Sequence, residues 1–181
     1  MLFASVPPHA SEFALRRIPQ LFEGIRTANE LGIAVTLTVL NRYPSLHDSL
    51  ERLIDTHRGN EFITLHSELI GDIGAFMKSF DMVVAPSGSG PLPQVPLTAV
   101  EALTVGIPVL AESALALASD LQRYSAGAVF DNTVSFVEAV RSVRDRYSDF
   151  SQGARRLASE RYSALQGRNA FLQSCATLLE H

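Results

Sequence analysis

Lysine is almost missing from this sequence: of its 15 basic residues only Lys78 is one. Any phosphate held elsewhere in the chain must therefore be neutralised by arginine or by backbone amides. Cysteine is equally scarce. The lone Cys175 excludes an internal disulfide, and with it a small stapled, secreted fold. No run approaches the roughly 20 apolar residues that span a bilayer, and the first residues lack a basic segment leading into an apolar run and a cleavage site. Together these absences predict a cytoplasmic, soluble chain with no transmembrane segment. The formal charge is only −4, and its 19 acidic and 15 basic residues are interleaved rather than blocked. Such a surface has no field to attract phosphodiester backbones or anionic membranes, so nucleic acid is not expected as a partner. The five histidines are scattered, and none pairs with another His or Cys at metal-binding spacing, so no metal site is expected.

What the sequence does have is apolar material, 46% of 181 residues, enough for the core of one domain spanning 1–181. Short apolar runs alternate with longer amphipathic ones, the pattern of strands and helices around a mostly parallel sheet. Strands are predicted at residues 1–6, 33–40, 62–65, 82–85, 107–111 and 128–130. The first helix places Leu15, Ile18, Phe22 and Ile25 on one face, with Pro19 inside it as a kink and Gly32 as a left-handed stop. A second helix carries Leu46, Leu50, Leu53 and Ile54 inward behind a capping box of Ser45 and Asp48. Further helices are predicted at 72–80, 97–105 and 115–124. Another carries Phe136, Val137, Val140 and Val143, supported at its start by Ser135 and Glu138, and a helical segment runs from about residue 148 to the end. Six strands in this arrangement predict an α/β fold, a Rossmann-like doubly wound parallel sheet that binds ligands at the carboxyl ends of its strands.

One loop stands apart. Residues 86–96 read PSGSGPLPQVP, where four prolines and two glycines in eleven positions forbid regular structure. The helix that follows offers the backbone amides of Leu97, Thr98 and Ala99 at the partly positive end of its dipole, a site for a diphosphate that needs no lysine. Thr98 adds a hydroxyl donor. Glu101, one turn on, has two acceptor oxygens suited to a ribose diol. On spacing alone the alternative stays open that Thr98 caps the helix, Glu101 is a solvated acid and the loop is plain surface.

The run SFDMVVAPSGSGPLPQVPLTAVEALTVGIPVLAES resembles the signature of glycosyltransferase family 4, the group 1 transferases: a strand ending in Pro-Ser, a variable loop, Glu-Ala, then Gly-x-Pro-Val. Phe80, Asp81, Pro86, Ser87, Glu101, Ala102, Gly106, Pro108 and Val109 match. The ending RYSALQGRNAFLQSCATLLE is similar to the family's closing aromatic-Ser segment and terminal helix. The resemblance implies the C-terminal, donor-binding half of a GT-B fold, whose cleft is closed by a separate N-terminal acceptor domain. It implies that Glu101 holds the ribose hydroxyls of a UDP-, GDP- or ADP-sugar, that the amides of Leu97 and Thr98 meet the distal phosphate, and that the loop His66 to Glu68 lies near the base; Ser87 joins these residues, with Ala99, as a donor-binding candidate. The sugar would be transferred with retention at the anomeric carbon, and no cofactor is implied.

The resemblance breaks in three places. Pro93 stands where the family carries a first glutamate that contacts the sugar. The first strand ends Ala4, Ser5, Val6 instead of Gly-Arg, and no lysine follows, so that Arg16 and Arg17 are the candidates to replace that cationic pair. Ala114, Leu115 and Ala116 replace a glycine pair. Because glycosyl transfer depends on stabilising charge on the departing phosphate, two readings stand. In one, the chain is the donor half of a transferase, completed by a separate acceptor-domain polypeptide or a homo-oligomer, or cut from a longer enzyme. In the other it is a noncatalytic, degenerate donor domain that docks through an apolar stripe of Ala164, Leu165, Phe171, Leu172, Cys175, Leu178 and Leu179. A related sugar-nucleotide epimerase would need a carboxylate and histidine set that has no place here, and neither a nucleophile elbow nor a dinucleotide fingerprint is present.

Overall fold

The computed structural model describes residues 1–4, 6–7, 9–14, 17–59, 61–87, 95–163 and 166. Arg16 and the apolar stripe beyond Ser163 lie outside these residues, as does the centre of the loop after residue 87. Six strands form one sheet: β1 (Leu2–Phe3), β2 (Leu37–Leu40), β3 (Ile63–His66), β4 (Val83–Ala85), β5 (Val109–Glu112) and β6 (Gly127–Phe130). All are parallel, in the order β3-β2-β1-β4-β5-β6. The chain thus reverses its direction of winding between β1 and β4, the switch point where doubly wound sheets bind ligands.

Helices cover both faces. Against one face pack α1 (Ile18–Glu30), α2 (His47–Thr56) and α6 (Thr133–Asp145), with Phe22, Leu50 and Phe136 fully buried among Phe3, Val39 and Leu110. The other face carries α3 (Ile73–Met77), α4 (Leu97–Thr104), α5 (Ala118–Tyr124) and α7 (Tyr147–Arg161), packed through Met77, Leu103, Leu121 and Leu157 onto Leu2, Val83 and Val109. Central strands buried on both faces explain the unbroken apolar runs MVVA and PVLA. The predicted architecture is the observed one.

Several local expectations change. The first strand is Leu2–Phe3, not 1–6, and the second begins at Leu37, not Ile33. In the second case Asn29 holds the approach to the strand: its amide donates to the Val35 carbonyl at 2.8 Å and its Oδ1 accepts from the Val35 amide at 3.2 Å. Pro19 does not kink α1 but begins it, at a first-turn position where its missing N–H costs nothing. Ser45 and Asp48 form no capping box; a 3-10 turn at Pro44–Leu46 runs directly into α2, with Leu46 at the cap and no side-chain bond. Nor does Ser135 pair with Glu138. Asn132 is the cap of α6, accepting from the Ser135 amide at 3.0 Å while the Ser135 hydroxyl accepts from the Asn132 amide at 3.1 Å. Ser135 occupies the third helical position of a capping box, not its start.

The Gly-x-Pro-Val segment has a clear physical reason. Gly106 sits at φ +81°, and a Cβ there would lie 2.5 Å from the Arg155 guanidinium carbon packed over it. The Gly106 carbonyl accepts from Ser151 of α7 at 2.7 Å, and the Pro108 carbonyl accepts from the Val83 amide at 3.0 Å. A glycine turn lets α7 close on the end of α4, and the following strand then registers against β4.

Candidate functional site

β4 ends at Ala85, and the chain continues through buried Pro86 and half-buried Ser87 before residues 88–94 lead to α4. Pro96, with extended backbone, is the cap of α4 and offers no side-chain bond. Thr98 is therefore not the cap; it lies inside the first turn and is buried at 8% exposure, whereas Leu97 is 71% exposed. The Ala99 amide, one of the three expected to meet an anion, donates to the Pro96 carbonyl at 3.0 Å. The first two residues of the helix, Leu97 and Thr98, stay at the positive end of its dipole.

Glu101 stands one turn further along α4. It is half-buried, and its Oε2 is buried with no hydrogen-bond partner among the described residues. That oxygen is withdrawn from solvent, unlike the solvated acid considered from spacing. A carboxylate oxygen removed from water and left unpaired is costly unless a ligand donor meets it. The helix is held in place from behind by α7, whose Ala154 and Leu157 lie against Ala102 and Leu103 in one buried cluster.

A second acid enters the site that the sequence reading had passed over. Glu112 closes β5, only 4% exposed. Its Oε2 accepts from the Ser87 amide at 3.0 Å and also from the Ser87 hydroxyl, joining the ends of β4 and β5. Its Oε1 is 3.5 Å from a guanidinium nitrogen of Arg17, whose side chain is half exposed. Arg17 precedes α1 in the left-handed region, φ 53° and ψ 29°. The signal was available: an acid within IPVLAES, at the end of an otherwise apolar buried strand, needs partners. Beside this pair opens a cleft of about 370 Å³, bordered by Gln20, Pro86, Asp131 and Asn132 and floored by Phe130 and Phe136.

The structure thus brings Ser87 and Arg17 together through Glu112, and places Leu97, Thr98, Ala99 and Glu101 on one short helix. His66 does not join them. It ends the edge strand β3, and its ring packs on Phe76 with centroids 4.9 Å apart. Between the ends of β2 and β3 lies a cleft of about 390 Å³ bordered by Arg42, Ser67 and Glu68, with Asn41 at its floor. Asn41 is 3% exposed, and its side-chain nitrogen has no acceptor among the described residues. Among the described residues there is no group of three or more His, Cys, Asp or Glu placed to hold a metal ion, and no helix is long and apolar enough to cross a membrane.

The family model of the group 1 glycosyl transferases matches residues 3–146. The chain belongs to this family. No curated protein matches it by sequence. Among solved structures the fold is similar to that of Alr3699/HepE from Anabaena, determined with UDP, at TM-score 0.71 and 14% identity over 97% of this chain and 48% of that one. A glycosyltransferase from Rickettsia africae gives TM-score 0.71 and 13% identity over 99% of this chain and 48% of the other. The chain therefore spans about half the length of these relatives. The C-terminal domain of a group 1 glycosyl transferase, LpcC, from Francisella tularensis is matched over 86% of its length and 90% of this chain, at TM-score 0.67 and 14% identity. The fold of this group 1 chain is accordingly that of the C-terminal half of a GT-B glycosyltransferase.

Proposed function

We propose that this chain is the donor-binding half of a glycosyltransferase, holding a nucleoside diphosphate sugar at the carboxyl ends of β1 and β4. The observation that carries this reading is Glu101, whose buried, unpartnered Oε2 on α4 is an acceptor awaiting a donor. A vicinal ribose diol supplies two hydroxyls in the geometry a carboxylate accepts. The diphosphate then meets the amides of Leu97 and Thr98, at the positive end of α4, without a lysine. Support comes also from membership of the group 1 family and from the Anabaena structure, which was determined with UDP. Transfer with retention, an acceptor domain contributed by another segment or polypeptide, and a UDP-, GDP- or ADP-sugar as substrate belong to this proposal.

The acceptor is bound outside this half of the fold, and the sugar contact that the family makes through its first glutamate has no acid here. The position of the family's first glutamate is Pro93, and the Arg17 guanidinium is already paired with Glu112. These two facts are what favours the second reading, a noncatalytic, degenerate donor domain that acts as an interaction module, because both weaken the stabilisation of a departing phosphate.

The test is calorimetric titration of the chain with UDP, GDP and ADP, repeated on Glu101→Ala. One nucleotide is expected to bind, and the substitution to weaken it by about 10- to 100-fold, the loss of hydrogen bonds to a charged acceptor worth about 1.5–3 kcal/mol. Unchanged affinity in Glu101→Ala would remove Glu101 from the ribose site. Absence of binding by all three nucleotides would overturn the reading itself.

A further inference from the structure

We propose that the Glu112 carboxylate is a built-in anion that occupies Arg17 and thereby masks it from the phosphates of a nucleotide, so that Glu112 lowers the affinity of the site for diphosphates. The proposal rests on the donor-binding reading above and adds the residue that sets its strength. Three kinds of donor converge on this one carboxylate: a backbone N–H and a hydroxyl, both from Ser87, and the guanidinium of Arg17. Backbone amide, hydroxyl and arginine are the donors that recognise phosphate oxygens. Here an internal carboxylate receives them.

Burial makes the arrangement persistent. Glu112 is 4% exposed, so it cannot exchange its partners for water and must keep them or be left uncompensated. Arg17 is half exposed and borders the cleft, so it is the member of the pair that an arriving phosphate can reach. A diphosphate arriving at the end of β4 meets a neutral pair instead of a cation. Binding it through Arg17 requires the guanidinium to be withdrawn from Glu112. Two anions competing for one cation are negatively coupled, and couplings of this kind run from about 5- to 150-fold in affinity.

The experiment titrates inorganic pyrophosphate, which has no ribose for Glu101, into the full chain and into E112Q, R17A and the double variant. E112Q is expected to bind pyrophosphate about fivefold or more tightly than the unaltered chain, with the gain abolished in the double variant. R17A alone leaves the buried Glu112 carboxylate without its cation and serves as the reference for the double variant, in which that carboxylate is neutral. Equal binding by E112Q and the unaltered chain would overturn the masking role. So would a gain in E112Q that survives loss of Arg17 in the double variant. E112A, judged by the same criterion, serves if E112Q does not fold. Failure of the donor reading appears separately, as absence of nucleotide binding whatever pyrophosphate does.

Discussion

Replacing Gly153 by alanine separates the helix from the fold. Gly153 lies in the middle of α7, where the change to alanine on an isolated helix would be stabilising by about 1 kcal/mol. In the tertiary structure the sign reverses. An added Cβ would lie 2.1 Å from the Ser125 carbonyl oxygen and 2.4 Å from that of Tyr124. Both are backbone atoms at the end of α5, and Ser125 is itself held at φ 50°, so no rotamer change relieves the contact. α7 has to move outward. Overpacking of this kind costs about 1–3 kcal/mol and sometimes more, and the helix-propensity gain offsets about 1 kcal/mol of it. With contacts this short the cost lies at the upper end of that range, and a net loss of about 1–2 kcal/mol lowers the melting temperature by about 2–8 °C in a domain of this size. Urea denaturation with parallel thermal melting measures it. Because α7 also backs α4, the same variant is expected to weaken nucleotide binding. A Gly153→Ala chain that is as stable as the parent, or more so, would refute the packing of α7 against the end of α5.

Two smaller effects follow from named contacts. Asn132→Ala removes the side chain that caps α6 and is expected to cost about 1 kcal/mol in urea denaturation, with Asn132→Asp retaining most of it. The Glu23 carboxyl is held below its ordinary value, first by its hydrogen bond from Arg26 and with a smaller contribution from the charges of Arg26 and His57. A depressed carboxyl contributes stability above its unfolded value and loses it as pH falls, so Glu23→Gln is expected to flatten slightly the decline of stability between about pH 5 and pH 3. The pair is largely in water, so the effect is small and should fade in high salt.

The layered fold was legible because its cause is local and repeated. Runs such as Met82–Ala85 and Ile107–Ala111 are too short for helices and apolar on both faces, which suits only strands covered from both sides. Glu101 was legible as a candidate because a loop barred from regular structure runs straight into its helix. Which residue caps a helix proved less readable: Ser45 with Asp48 and Ser135 with Glu138 satisfy the spacing, yet the cap depends on the backbone angle of the entering chain. His66 was a candidate only through the resemblance; in the fold it ends β3 and its ring packs on Phe76.

By itself, then, the sequence determined the alternation of strand and helix, the parallel sheet and the loop where chemistry concentrates, since each depends on residues near in the chain. Only the tertiary structure decided that Glu112 joins Ser87 and Arg17. Those three positions, 25 residues apart on one side and farther on the other, meet because β4 and β5 pair in register at Ala85 and Ala111 while the residue that precedes α1, Arg17, reaches Glu112. Partners chosen by sheet order are invisible to spacing, and a buried charge reveals its meaning only when the groups that compensate it are in place.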